Sequence, residues 1–167
     1  MNWNQIGILN LKLDENKAIG LIVHVNSFGA KHRPNIDLVK SKLISFAQSL
    51  DTDDIGFLYQ SPIKPCHLAG ELVAQIVSTP LPRFLDLGRA CEESVDFLVS
   101  LDEVYKKNLY LITDSYSKSF DSGLNLALSK PISFFICDLG NSSDLEAMTK
   151  NKENVCYINS LANNWWK

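Results

Sequence analysis

The chain has 167 residues, of which 46% are hydrophobic and 21% charged, and its formal net charge at pH 7 is −3. This length fits one domain with its own hydrophobic core, and the composition excludes a disordered chain, a fibre or a repeat array. The slight negative charge argues against a protein that binds nucleic acid through its phosphates, because such binding needs a strongly basic surface.

Membrane insertion and export have no signal in the sequence. No apolar run reaches the roughly 20 residues that cross a bilayer, and residues 1–4 lack the charged and apolar regions of a signal peptide. Cys66, Cys91, Cys137 and Cys156 show neither a CxxC pair nor the spacing of a zinc site, so we expect reduced, mostly buried thiols. We therefore expect a cytoplasmic protein with no membrane or nucleic-acid partner.

The first third of the chain alternates between apolar strands and an amphipathic helix. Residues 6–13 and 18–25 are apolar runs, and the second is nearly continuous, which is typical of a strand buried on both faces. His24 lies inside this run, where a histidine is more often a core residue than a ligand. Asn35 is predicted to cap a helix whose apolar residues recur at three- and four-residue steps, and a second strand follows at 55–59.

The same alternation continues to the end of the chain. In order, we predict a short helix at 68–77, a long helix at 84–101, a strand at 109–112, a weak helix at 121–128, a strand at 132–137, a helix from Ser143 to about Lys150 and a strand at 155–158. Ser143 and Glu146 fit a capping box at the start of the last helix. This pattern predicts one α/β domain over residues 1–167, a three-layer α/β/α sandwich with a mostly parallel, Rossmann-like sheet, to which residues 1–17 add an extra strand and turn.

Four segments carry a likeness to a known family. They are the strand–loop–helix–strand unit at 19–59, Ser78-Thr79-Pro80-Leu81 ahead of a long helix, the strand end Leu111-Ile112-Thr113-Asp114-Ser115, and the strand–helix–strand unit at 131–158. In this order they resemble the von Willebrand factor A (VWA) domain family, over roughly residues 18–165. The resemblance implies a VWA-like fold and a scaffold that binds other proteins.

The family's metal-ion-dependent adhesion site holds Mg²⁺ or Mn²⁺ on oxygen ligands, and an acidic residue of the partner completes the coordination. Its first loop reads Asp-x-Ser-x-Ser, whereas the corresponding loop here reads His24-Val25-Asn26-Ser27-Phe28-Gly29-Ala30 and supplies neither the aspartate nor the serine pair. The threonine and aspartate of the other two loops match Thr79 and Asp114. The resemblance thus implies a degenerate or weak metal site made of Asn26, Ser27, Thr79 and Asp114.

No catalytic motif accompanies these residues, so we expect a non-enzymatic protein-interaction module with no required cofactor. Phe28, Lys31, His32 and Arg33 lie on the loop after the first core strand and are predicted to contact the partner, through an acidic residue or within a multiprotein complex. Two alternatives stay open: a Mg²⁺- or Mn²⁺-dependent adhesion-type binder, and a metal-dependent hydrolase or phosphotransfer domain that uses Asp114 and Asp138. Trp165-Trp166 is expected to dock on the domain or to form a partner-facing patch.

Overall fold

The computed structural model describes residues 16–25, 33–80 and 85–159, with the side chains of residues 33–35 left aside. Five strands form one sheet in the order β2-β1-β3-β4-β5, and every neighbouring pair is parallel. The strands are β1 (Lys17–His24), β2 (Ile55–Leu58), β3 (Lys106–Thr113), β4 (Ser133–Asp138) and β5 (Val155–Ile158). At the β2 edge, Cys66 adds an antiparallel bridge to Gly56.

Among the described residues, five helices pack on the two faces of the sheet. They are α1 (Arg33–Gln48), α2 (Ala69–Ser78), α3 (Leu87–Ser100), α4 (Asp121–Leu128) and α5 (Ser143–Thr149), and a 3-10 turn at Lys118–Phe120 precedes α4. The apolar residues of α1 and α2 pack on one face of the sheet, and those of α3, α4 and α5 pack on the other. The expected three-layer α/β/α sandwich around a parallel sheet is therefore confirmed.

The central strands are apolar on both faces because both are covered. In β1, every residue from Ala18 to His24 is buried, with alternate side chains in the two cores. This explains the nearly continuous apolar run in the sequence. His24 is 1% exposed, as expected for a core histidine.

Two predicted helix starts are wrong. Helix α1 begins at Arg33, so Asn35 lies in its first turn instead of capping it, and Pro34 is tolerated there because first-turn N–H groups have no partner within the helix. Helix α5 is capped by Ser142, whose Oγ accepts a hydrogen bond from the Leu145 N–H at 3.3 Å, so the predicted Ser143–Glu146 capping box does not form.

The remaining boundaries differ by a few residues. The predicted strand at 109–112 extends to Lys106–Thr113, and the helix predicted from Phe84 begins at Leu87, with Asp86 accepting from the Arg89 N–H. Three predicted features lie outside the described residues: Phe84, the extra N-terminal strand and Trp165-Trp166. Of the predicted segment 1–17, only residues 16 and 17 are described. Among the helices of the described part, none combines the length and apolar character needed to span a bilayer.

Candidate functional site

In the described part of the sheet, the connections change direction at one topological switch point, between β1 and β3. The chain leaves β1 toward β2 on one side and leaves β3 toward β4 on the other, so the two connections diverge above the carboxyl ends of these neighbouring strands. In open parallel sheets, ligands bind in the crevice formed at such a point. The last residues of β1 and β3, His24 and Thr113, face each other there in register.

A buried hydrogen bond joins these two residues. The His24 Nδ1 and Thr113 Oγ1 atoms are 2.9 Å apart, and the two residues are 1% and 0% exposed. The Phe120 ring meets the imidazole edge-on, with centroids 5.4 Å apart. Tyr116 packs on Phe120, and its hydroxyl donates to the Asp121 carboxylate at the start of α4. The floor of the crevice is therefore the hydrogen-bonded pair His24–Thr113, packed against the aromatic ring of Phe120, which in turn contacts Tyr116.

Burial also sets the charge of this floor. Desolvation lowers the pKa of His24 below its ordinary value of 6.5, and the nearby Asp114 carboxylate opposes part of that shift. The imidazole is therefore neutral at pH 7. If the family's Asp-x-Ser-x-Ser loop is aligned to begin at His24, this histidine stands at the position of the aspartate; an alignment that begins at Asn26 places Asn26 there.

Asp114 and Ser115 form the lip of the crevice directly after β3. The Asp114 N–H donates to the His24 carbonyl at 3.2 Å, and the Ser115 N–H donates to Thr113 Oγ1 at 3.3 Å. Asp114 is half-buried, and the Ser115 hydroxyl oxygen is buried with no hydrogen-bond partner among the described residues. The Thr113 hydroxyl therefore links the ends of β1 and β3 to the backbone of this lip.

The loop after β4 packs directly against this lip. A Cβ atom at Gly140 would lie 2.4 Å from the Asp114 carbonyl oxygen, so only glycine allows the two loops to approach this closely. The next residue, Asn141, has a positive φ of 52°, which completes the turn into α5. Gly140 therefore fixes the position of the Asp114 backbone.

The Asp138 side chain is held by hydrogen bonds within the fold. It is fully buried, and its Oδ1 accepts from the Gly140 N–H at 3.1 Å, while its Oδ2 accepts from the Ser142 N–H at 2.7 Å and the Tyr157 hydroxyl at 2.8 Å. This carboxylate holds the turn between β4 and α5. The hydrogen bonds give it a role that differs from the metal ligation of the hydrolase alternative, in which it pairs with Asp114.

Thr79 lies at the same edge of the sheet but turns toward its own helix. Its hydroxyl donates to the Gln75 carbonyl at 2.7 Å, at the C-terminus of α2. The residue also lines a small apolar pocket with Val23 and Leu58, near the ends of β1 and β2. The Thr79 hydroxyl is thus engaged in a backbone contact, and its assignment to a metal site remains a prediction.

The other predicted site residues cannot be placed. Asn26, Ser27, Phe28, Lys31 and His32 lie outside the described residues, and for Arg33 only the backbone at the start of α1 is described. Their assignment to a metal site or a partner contact remains a prediction.

The donors that are described do not by themselves fit a tightly held Mg²⁺. Such an ion takes six oxygen ligands in near-octahedral array, usually with one or two carboxylates. Here the lip offers one carboxylate, Asp114, and the hydroxyls of Thr79 and Thr113 are held by protein groups. Within residues 16–25, 33–80 and 85–159, no three His, Cys, Asp or Glu side chains come together in a way that could hold a metal.

Three features of the site were missed in the sequence. The Thr113–His24 pair, the Ser115 hydroxyl and the Gly140 contact all depend on which strand ends become neighbours. A signal existed for part of this, because polar residues that directly follow two buried strands meet if those strands are adjacent in a parallel sheet. The strand order, however, is set by tertiary packing.

Solved structures provide the comparison at the level of fold. A von Willebrand factor type A protein from Catenulispora acidiphila superimposes with a TM-score of 0.64 at 9% identity, over 87% of this chain and 39% of that one. The fold is VWA-like. Similar matches are an aerotolerance-related membrane protein from Bacteroides fragilis (TM-score 0.64, 12% identity, 89% of this chain and 93% of that one) and proximal thread matrix protein 1 from the mussel byssus (TM-score 0.62, 12% identity, 87% and 44%).

The chain spans less than half the length of the Catenulispora and byssus proteins and nearly all of the Bacteroides one. No protein-family profile matches the sequence, and no curated protein matches it. The VWA-like likeness thus lies in the fold, at a level of sequence identity that carries no information about activity.

Proposed function

We propose that this chain is a protein-interaction module that binds its partner through the loops at the carboxyl edge of the sheet, without depending on a metal ion. The observation that carries the proposal is the buried hydrogen bond between His24 and Thr113 at the switch point, with Asp114 as the single described carboxylate at its lip. Within the part of the crevice that the structure describes, there is a half-buried acid and no dense set of oxygen ligands of the adhesion type.

The VWA-like fold supports this proposal through its neighbours. One is a von Willebrand factor type A protein and another is a thread matrix protein, and neither name describes an enzyme. The hydrogen bonds of Asp138 also favour an interaction module over the hydrolase alternative, because that carboxylate already accepts from three groups of the fold. The two structural neighbours are similar to this chain in fold only, so the partner is inferred from the residues of the loop after β1.

The loop after β1 indicates the chemistry of the partner. Lys31, His32 and Arg33 bring basic side chains close to the switch point in sequence, and Phe28 adds an aromatic one. Basic and aromatic residues together favour an acidic protein surface with an apolar contact at its centre. The proposed partner is therefore a protein that presents an acidic segment.

The proposal is tested with a partner identified by cross-linking and then purified. The variant carrying Lys31→Glu and Arg33→Glu should bind that partner at least about tenfold more weakly, a loss of roughly 1.4 kcal/mol. The control carries Lys130→Glu and Lys152→Glu, at turns that precede β4 and β5 at the opposite edge of the sheet, and should bind as the unmodified chain does. Equal losses in both variants would contradict binding at the carboxyl edge.

The same binding assay separates the two interaction hypotheses. Addition of EDTA should leave the affinity unchanged if the module does not depend on a metal. A loss of binding in EDTA that is restored by Mg²⁺ or Mn²⁺ would favour the adhesion-type alternative, in which Asn26, Ser27, Thr79 and Asp114 hold the ion.

A further inference from the structure

One half of the sheet lacks a described covering layer. On the face that carries α1 and α2, Phe135 of β4 and Ile158 of β5 are half-buried, and Cys156 between them is exposed. On the opposite face, Phe134 and Ile136 of the same strand are 2% and 1% exposed beneath the other helices. The apolar side chains of β4 and β5 on the first face are therefore only partly covered by the described residues, and a further apolar group could pack on them.

A pocket opens on this face near the amino edge of the sheet, away from the candidate functional site. It has a volume of about 350 Å³, and its walls include Ile19, Phe46, Asn108, Tyr110 and Phe135. The Tyr110 and Phe135 rings stack with centroids 4.5 Å apart and planes inclined by 12°. This Asn108 pocket has the size and aromatic lining of sites that receive a small planar group.

Asn108 gives the pocket a polar requirement. The residue is 4% exposed, and its side-chain amide forms a hydrogen bond with the Tyr110 side chain, while its Oδ1 is buried with no partner among the described residues. A buried amide oxygen without a donor is costly, and native proteins usually supply one. The group that fits the pocket is therefore aromatic and carries an N–H, as the indole of tryptophan does.

We propose that the Asn108 pocket receives a tryptophan side chain and that its occupant is the Trp165-Trp166 pair of the same chain. The pair lies outside the described residues, and its separation from β5 is compatible with this contact. Trp165 comes seven residues after Ile158, which spans up to about 23 Å when extended. Crossing from β5 to β3 takes two strand spacings, about 10 Å. The return from the level of Cys137, the register partner of Ile158, to that of Ser133, the register partner of Asn108, takes four residues, about 13 Å.

All three tryptophans of the chain, Trp3, Trp165 and Trp166, lie outside the described residues, so tryptophan fluorescence reports only on these segments. In the full chain with Trp3→Phe, emission should be blue-shifted from that of the urea-unfolded chain and severalfold less sensitive to acrylamide. Adding Phe135→Ala, which removes the stacked wall, should raise quenching toward the unfolded value. Asn108→Leu, which keeps the volume and removes the amide, should raise it by a smaller amount.

The matched control is Phe97→Ala, which removes a half-buried ring that packs edge-on against Phe57 on the opposite face. It should leave the quenching unchanged while the chain still unfolds cooperatively in urea. Quenching that ignores Phe135→Ala, or that changes equally with Phe97→Ala, overturns the proposal. If Trp3 is protected from acrylamide instead, in a chain with Trp165→Phe and Trp166→Phe, the pocket is assigned to the N-terminal segment. If protection from acrylamide rises with protein concentration, the pocket is assigned to a second copy of the chain. Either result overturns the proposed occupant. Because the pocket and the carboxyl edge are separate, the proposed function can fail or hold independently of this one.

Discussion

Individual polar residues at the carboxyl edge of the sheet make hydrogen bonds within the protein that hold the fold. Thr79 donates to its own helix, Thr113 pairs with His24, and Asp138 accepts from two backbone groups and a tyrosine. The resemblance to VWA domains singled out Thr79 and Asp114 as possible metal ligands, and that role remains a prediction. The hydrogen bond between Thr113 and His24 could not be predicted, because the two residues are 89 positions apart and meet only when β1 and β3 pair.

His24 should make the stability of the fold depend on pH. Burial lowers its pKa in the native state, whereas the unfolded chain takes up a proton near pH 6.5. The neutral imidazole therefore contributes stability that is fully present above pH 6.5 and is lost as the pH falls through the lowered native pKa. Urea unfolding of the unmodified chain and of His24→Gln, from about pH 8 to about pH 5, should show a steeper loss in the unmodified chain; parallel curves would contradict the prediction.

Asp138 should matter more for stability than an exposed acid nearby. In Asp138→Asn, the amide group would face hydrogen-bond donors and leave at least one buried N–H without an acceptor, which costs about 2–4 kcal/mol of unfolding free energy. The control Asp144→Asn changes a half-exposed side chain whose ion pair with Lys118 spans 3.8 Å, and it should cost less than about 1 kcal/mol. Urea denaturation of both variants measures the difference, and comparable losses would argue against the structural role of Asp138.

At the level of elements, α3 and α4 cross at a contact between two glycines. A Cβ atom at Gly123 would lie 2.5 Å from the Gly88 Cα and 2.7 Å from its carbonyl carbon. The backbones of the two helices therefore touch at this point. This contact also brings the 3-10 turn before α4 toward His24, since Phe120 precedes Gly123 by three residues.

Gly123→Ala should destabilise the fold by about 1–3 kcal/mol, because the new methyl group must push two backbones apart. The matched control is Gly70→Ala in the first turn of α2, where a Cβ atom would meet nothing within 4 Å. That change should stabilise the chain by about 0.4–1 kcal/mol through the reduced freedom of the unfolded chain. Thermal unfolding of the pair decides this, and the idea fails if both substitutions shift the midpoint in the same direction.

Elements were predicted well where burial produces a clear period and poorly where local hydrogen bonds decide. The continuous apolar run of β1 and the helical spacing of α3 follow directly from packing against both faces of the sheet. The start of α5 depends instead on the turn at Asn141 and on the Ser142 N–H, which donates to Asp138. These contacts require the neighbouring loops to be in place, so the pattern alone selected Ser143.

At the level of the whole molecule, alternation of strands and helices predicts a parallel sheet with its functional crevice at the carboxyl edge. The position of the switch point follows from the strand order, which places β3 next to β1. That order makes Asp114 and His24 neighbours although 90 positions separate them in the chain. Whether such a crevice holds a metal depends on the summed donor set of its loops.

The metal dependence of the whole fold provides the last prediction. A metal at about 100 times its dissociation constant stabilises a folded protein by about 2.7 kcal/mol, which corresponds to roughly 5–10 °C for a domain of this size. For the EDTA-treated chain and for Asp114→Ala, we expect no shift in the unfolding midpoint with Mg²⁺, Mn²⁺ or Ca²⁺ up to millimolar concentration. The variant Asn26→Asp, Phe28→Ser, Ala30→Ser restores the family's Asp-x-Ser-x-Ser pattern and serves as a gain-of-response control. A rise in the unmodified chain that Asp114→Ala abolishes would instead identify a working metal site, in which the described Asp114 carboxylate and the loop after β1 act together.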